Sequence, residues 1–343
     1  MAKRIGNPFL SRSFQRTLGT MARKAVRVGA QAVTQTLRAK PAVRKAAPAK
    51  RLSAAGPAQT HWSSGIAVGA AGARRYHLYK PAGVRRAERL PLLVMLHGCG
   101  QDAEAMAAST QMNRLAARER FIVLYPEQDR VANVHRCWNW YETRSGRAQA
   151  EAHSIDAAIT QVCLTQPVDP LRIGVAGLSA GAGMAALLAT RHPERFRAIA
   201  MHSGIAPGVA HSSATALSAM RGRAGEAKPQ PPLADGQHLP VLLVIQGSVD
   251  HIVARNNGTE AARSWAAHEG ALAGATRRVQ RGARYAAAVT DYKTRGRLVA
   301  TLCEVSGLGH AWSGGAAGQA YSDPKGPNAS SMIWAFMTKQ FAR

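Results

Sequence analysis

Residues 172–192 read RIGVAGLSAGAGMAALLATRH. The first seven residues are an apolar run of strand length, the last twelve are an Ala- and Leu-rich helical sequence, and Ser179 stands at the junction between Gly177 and Gly181. This is G-x-S-x-G, a pattern in which serine occupies a sharp strand-to-helix turn whose flanking positions must be small because backbone crowds them. Such a turn lifts the hydroxyl clear of the sheet and sets the first N–H groups of a helix beside it, where they stabilise developing negative charge. Gly181, Gly183 and Ala186 also spell G-x-G-x-x-A. Those residues fall inside the helix instead of opening it, and no acidic residue follows at the required distance, so a dinucleotide site is set aside.

Working outward, the same alternation recurs along the chain. Short apolar runs bounded by Gly or Pro are expected as strands at 75–81, 91–98, 121–127, 172–179, 198–204 and 240–247. Helices are expected at 103–119, 153–165, 180–192, 256–269 and in the closing SSMIWAFMTKQFA. Strands that each lead into a helix imply the α/β class, with a mostly parallel central sheet covered by helices on both faces. Residues 276–306 read as a hairpin turning near KTRGR. Residues 207–239, rich in Pro, Gly and Ala, read as an excursion over the sheet where binding loops tend to lie.

The charge is lopsided. Of 45 Lys and Arg, 18 precede the first acidic residue, Glu88, and the chain carries a formal +26. Residues 1–58 are expected to be a basic arm, and residues 59–343 one catalytic domain. Basic residues interrupt the arm too often for a secretory signal peptide, and no apolar run has the length of a membrane span. Phe9, Leu10, Phe14, Leu18 and Met21 among those basic residues suggest contact with an anionic surface or storage granule, with no specific nucleic acid implied.

A serine hydroxyl needs a base, and the base an orienting acid. In the α/β-hydrolase order of serine, acid and histidine, the later partners lie on loops after later strands. Asp250 follows the apolar run PVLLVIQG, and His310 lies in the Gly-rich loop after LCEVSG. Asp235, Asp291 and Asp323 are weaker acids for the role; His192, His202 and His251 are weaker bases. The expected oxyanion donors are the N–H of Ala180 and, from the loop His97-Gly98-Cys99-Gly100, that of Cys99, with Gly98 in reserve. This chemistry needs no metal and no cofactor.

The blocks LHGCGQDAEAMAAST, CWNWY, VDPLRIGVAGLSAGAGMAALLA, IQGSVDHIVARNN and GLGHAWSGG together resemble the polyhydroxybutyrate depolymerase family of esterases, over roughly residues 75–343. The resemblance implies an α/β-hydrolase fold and hydrolysis of poly- or oligo-3-hydroxyalkanoate esters, with feruloyl and acetyl-xylan esters as the alternative. It implies Ser179, Asp250 and His310 as the catalytic set. It also suggests a bridge between Cys99 and Cys137, while Cys163 and Cys303 read as buried free thiols. The family is usually extracellular, against which stands the missing export signal. Trp138, Trp140 and Trp312 are the candidate substrate-binding aromatics, Trp312 foremost.

Overall fold

The computed structural model describes residues 61–223 and 237–342. The expected basic arm, 1–58, lies outside the described residues, as do residues 224–236 of the 207–239 excursion. The sheet is built from β1 (His61–Gly69), β2 (Gly72–Lys80), β3 (Leu90–Leu96), β4 (Ile122–Pro126), β5 (Val168–Leu178), β6 (Ala198–His202) and β7 (Val241–Gly247). Short β8 (Leu272–Ala273) and β9 (Arg277–Val279) precede β10 (Ala287–Thr294) and β11 (Arg297–Val305). The order is β1-β2-β4-β3-β5-β6-β7-β11-β10-β8, with β9 also on β10. From β4 to β11 the strands run parallel; both flanks are antiparallel.

Parallel strands buried on both faces read as continuous apolar runs instead of alternating ones. In β3, LPLLVML is buried throughout. Leu92, Val94 and Leu96 join one core layer with α3 (Arg147–Thr165), α4 (Ala180–Arg191) and α6 (Asn256–His268). Leu93 and Met95 join the opposite layer with α1 (Ala103–Thr110), α2 (Met112–Glu119) and α7 (Ala329–Phe341). The expected strand positions and the α/β architecture are therefore as observed.

Two local features differ from expectation. The single helix expected over 103–119 is broken at Gln111, which is left-handed with φ 53°. The carbonyls of Ser109 and Thr110 accept bonds from Ala316 N–H and the Ser330 hydroxyl, and Thr110 Oγ1 donates back to Met106 O. Those tertiary bonds take the acceptors that a continuing helix needs. On the flank, β1 and β2 form a hairpin that the expected strands did not include, turning at Ala70-Ala71 between the paired Gly69 and Gly72, the latter at φ 105°. The hairpin expected near KTRGR does form: Arg295 and Gly296 sit at φ 46° and 80°, and β10 pairs with β11.

The layer under α7 is closed by Phe121 stacked on Trp334, ring centroids 3.6 Å apart. Phe121 is fully buried. Phe121→Ala is expected to lower unfolding free energy by about 3–5 kcal/mol, as read from urea titration; a loss below about 1 kcal/mol would show that this stack does not close the core.

Candidate active site

Ser179 follows β5 and precedes α4 with φ 57° and ψ −119°, a strained backbone for a residue with a side chain. The two flanking glycines make the turn possible. A Cβ on Gly177 would lie 2.2 Å from Gly181 O, and one on Gly181 would lie 2.2 Å from Leu96 O and 2.6 Å from His97 O. Ser179 N–H donates to His202 O at 2.9 Å, and Ser179 O accepts the first helical bonds from Ala182 and Gly183. Strand register thus fixes the start of α4 against β3 and β6.

His310 and Asp250 come from loops beyond the carboxyl ends of neighbouring strands β11 and β7. The loops are laced together: Val249 N–H donates to Leu308 O at 3.1 Å, and Gly307 N–H to Ser248 Oγ at 2.9 Å. His310 Nδ1 lies 2.8 Å from Asp250 Oδ2, and the Asp250 side chain is fully shielded from solvent. Its Oδ1 accepts N–H bonds from Ile252 and Val253, both at 2.9 Å. Burial pushes the Asp250 carboxyl up, but the His310 imidazole and the two N–H donors outweigh it, so the group sits below the usual carboxylate range. An ionised acceptor here holds His310 in the Nδ1–H tautomer, leaving Nε2 free to take a proton.

Ser179 and His310 line one cavity of about 50 Å³, together with Cys99, Cys137, Trp138, Trp140 and Ala180. Cys99 and Cys137 are joined by a disulfide that ties the loop after β3 to the CWNW segment. In the β3 loop, Gly98 N–H is taken by Gln101 Oε1 at 3.0 Å and Gly100 N–H by His135 O at 2.8 Å. Among the described residues, neither Cys99 N–H nor the helix-opening Ala180 N–H meets a protein acceptor. His97 is buried behind this loop. Its Nε2 accepts Gln128 N–H at 3.1 Å, so Nδ1–H donates to Gly98 O at 2.9 Å. Burial pushes the His97 imidazole down to about 4.

Trp312 requires a correction. It is fully buried, stacked on His202 with centroids 5.0 Å apart, and its indole N–H donates to Ser330 Oγ. It does not line the cavity. Two residues beyond His310 the chain turns into the core as β12 (Trp312–Ser313), which pairs with β13 (Ser322–Asp323). Trp138 reaches the cavity but is also core, with its N–H on His97 O and Arg74 over its ring at 5.1 Å. Trp140 lines the cavity directly. Of the cysteines outside the bridge, Cys303 is a buried free thiol, whereas Cys163 is only half-buried.

Sequence reasoning missed the apolar wall formed by Ile205, Met220, Ile252 and Val253, and it missed Tyr321. Nothing distinguishes these from ordinary core residues along the chain. The one usable signal was the 207–239 excursion: its helix α5 (Ser213–Met220) supplies Ala216 and Met220.

A parallel sheet carrying a serine turn, with an acid and a histidine beyond the ends of later strands, defines the α/β-hydrolase class. Residues 74–286 match the model of the family described as esterase PHB depolymerase, and the chain belongs to that family. It is 39% identical over 115 residues to poly(3-hydroxyalkanoate) depolymerase C of Paucimonas lemoignei, covering 33% of this chain and 28% of that protein. It is 30% identical over 134 residues to feruloyl esterase B of Neurospora crassa, covering 38% and 44% respectively. The matches thus span less than half the length of either relative. Among solved structures, the acetyl xylan esterase from Aspergillus awamori shares the fold, with TM-score 0.55, 20% identity, and coverage of 69% of this chain and 89% of that one.

His97 and His202, the latter pushed down by burial to about 3, enter the folded state neutral. Both folded values lie below the ordinary imidazole value of about 6.5, so the unfolded chain binds protons that the folded chain refuses. Their stabilisation is complete above that value and is lost as pH falls through it toward about 4 for His97 and about 3 for His202. The slope is about 1.4 kcal/mol per pH unit for each histidine. Urea unfolding of His97→Gln should show one proton's worth less pH dependence between about pH 6.5 and 4.5; an unchanged slope would refute the buried neutral state.

Proposed function

We propose that this protein is a serine carboxylesterase that hydrolyses esters of 3-hydroxyalkanoates, polymeric or oligomeric, through Ser179, His310 and Asp250. The observation that carries the reading is the strained Ser179 turn facing the same apolar cavity as a His310–Asp250 pair at 2.8 Å. Family membership and the depolymerase relative supply the substrate class.

The reaction follows from the roles. His310 Nε2 takes the Ser179 proton as Oγ attacks the ester carbonyl carbon. The tetrahedral oxyanion accepts hydrogen bonds from Cys99 N–H and Ala180 N–H, the two donors left without protein acceptors. The C–O bond to the alcohol breaks as His310 returns the proton to the leaving oxygen, which leaves an acyl-enzyme on Ser179. Water, deprotonated by His310, then attacks that acyl carbon; the acid departs and the serine regains its proton. Asp250 stays ionised throughout and stabilises the imidazolium. Trp138 and Trp140, with Ile205 and Met220, give the substrate an uncharged apolar surface.

A second reading, an esterase of feruloyl or acetyl-xylan type, is favoured by the feruloyl esterase relative and by the structural neighbour that this fold covers almost completely. Contact of residues 1–58 with an anionic or granule surface remains part of the proposal, and steep loss of attachment with salt is its signature.

Initial rates on polyhydroxybutyrate granules, hydroxybutyrate oligomers, a feruloyl ester and acetyl-xylan decide between the readings. The oligomers are expected to be cleaved fastest, with Ser179→Ala at background and Asp250→Asn lowered on the order of 10⁴-fold in kcat. Cleavage that survives in Ser179→Ala would end the proposal, and preference for the feruloyl ester would favour the second reading. The disulfide closes a loop of sequence separation 38. The double variant Cys99→Ser/Cys137→Ser is expected to lose about 4 kcal/mol of stability and roughly tenfold or more in kcat as the Cys99 N–H loses its fixed position; stability that falls while kcat holds would detach the bridge from the oxyanion site.

A further inference from the structure

His202 ends β6 directly behind the serine turn, and no step of the proposed reaction uses it. The residue is fully buried, yet its polar atoms are engaged. Its carbonyl accepts Ser179 N–H at 2.9 Å. Its ring Nε2 accepts the main-chain N–H of Ser313 at 3.1 Å, and Nδ1 lies 3.1 Å from Ser203 Oγ. A neutral imidazole that accepts at Nε2 carries its proton on Nδ1, so Nδ1–H donates to Ser203. One residue therefore holds the nucleophile through its backbone and the histidine loop through its ring.

Ser313 lies three residues after His310. Around it the loop is pinned from several sides: Ser313 Oγ donates to Pro327 O, the Trp312 ring stacks on His202, and Leu308 O accepts Val249 N–H. His310 stands between the Leu308 and Ser313 attachments. Besides the Trp312 stack, the bond at Ser313 is the hydrogen bond among the described residues that refers the loop to β6, and hence to Ser179. An apolar side chain in place of His202 would leave the Ser313 N–H buried without an acceptor. The nearby titratable groups are His310 and Asp250, and a neutral His202 ring adds no positive charge when His310 takes the serine proton.

We propose that His202 is a positioning residue for ester hydrolysis: its Nε2 acceptor sets the main chain of residues 310–313 at a fixed separation from the Ser179 turn, so that His310 meets the serine hydroxyl without a conformational search. The inference rests on the Ser179–His310–Asp250 reading. A misplacement of about an ångström at the base lowers turnover by as much as two orders of magnitude, whereas the cavity wall that binds substrate does not contain His202. The effect is therefore on kcat and not on KM.

The test compares full-length wild type, His202→Phe and His202→Gln. Phenylalanine keeps a ring against Trp312 but has no acceptor; glutamine keeps an acceptor near the position of Nε2. Each protein is checked by circular dichroism, assayed on a p-nitrophenyl ester, and treated with a fluorophosphonate, with the labelled residue mapped. Wild type is expected to label at Ser179. Folded His202→Phe should lose about 10- to 100-fold in kcat with KM within about threefold, and in labelling rate by a similar factor, while His202→Gln recovers most of the loss. A folded phenylalanine variant with wild-type kcat, or a glutamine variant as impaired as phenylalanine, would overturn the assignment. Absence of label on wild-type Ser179 would instead overturn the underlying reading. Nitrogen-15 NMR of the wild-type imidazoles keeps the inference testable even where the phenylalanine variant does not fold. His202 should show a protonated Nδ1 and an unprotonated accepting Nε2 at pH 7, and a proton on Nε2 would refute it.

Discussion

The structure depends on one close approach: the first turn of α4 packs so tightly against the end of β3 that Gly181 has backbone oxygens of Leu96 and His97 where a Cβ would be. That contact holds the start of the helix against the loop bearing Cys99. It also brings Gly177 and Gly181 together across the turn, leaving Ser179 no relaxed conformation. A non-glycine residue at φ 57° is strained by about 1–3 kcal/mol. The surrounding register, with Ser179 N–H on β6 and α4 capped by Ser179 O, over-determines it.

At the carboxyl edge of the sheet, hydrogen bonds and a disulfide tie the loops around that turn to one another and to the strands. The β3 loop is held by neutral His97 and by the disulfide. The CWNW segment rests on a buried polar network in which Glu151 accepts from Gln128 Nε2 and Asn139 N–H, and Arg74 donates to Gln128 and Ser154. Buried charges are tolerated there because their hydrogen-bonding capacity is met on several sides. The loops bearing Asp250 and His310 are bonded to one another. A rigid rim of this kind suits a reaction in which the donors must already point where charge develops.

The fold was legible because the central parallel strands are buried over most of their length and so read as nearly continuous apolar runs, as in PLLVML and PVLLVIQG, while Gly and Pro mark the boundaries. The serine turn was legible because close backbone packing admits only glycine at 177 and 181. The break at Gln111 was not, because its cause lies in the hydroxyl of Ser330, some 220 residues away from the Thr110 carbonyl it meets. Trp312 was misjudged for a related reason. Nearness to His310 along the chain says nothing of direction, and here the backbone turns inward, sending the indole to Ser330 and its face to His202.

The sequence by itself determined the layer architecture, the serine turn and the family, since these follow from apolar runs, glycine placement and short motifs whose causes are local. Only the tertiary structure decided which side chains share the cavity with Ser179, which N–H groups near it are left without acceptors among the described residues, and which main-chain groups the buried rings of His97 and His202 meet. Those outcomes depend on hydrogen bonds between segments far apart in the chain, and a donor's partner is a property of the packed molecule and not of the residues beside it.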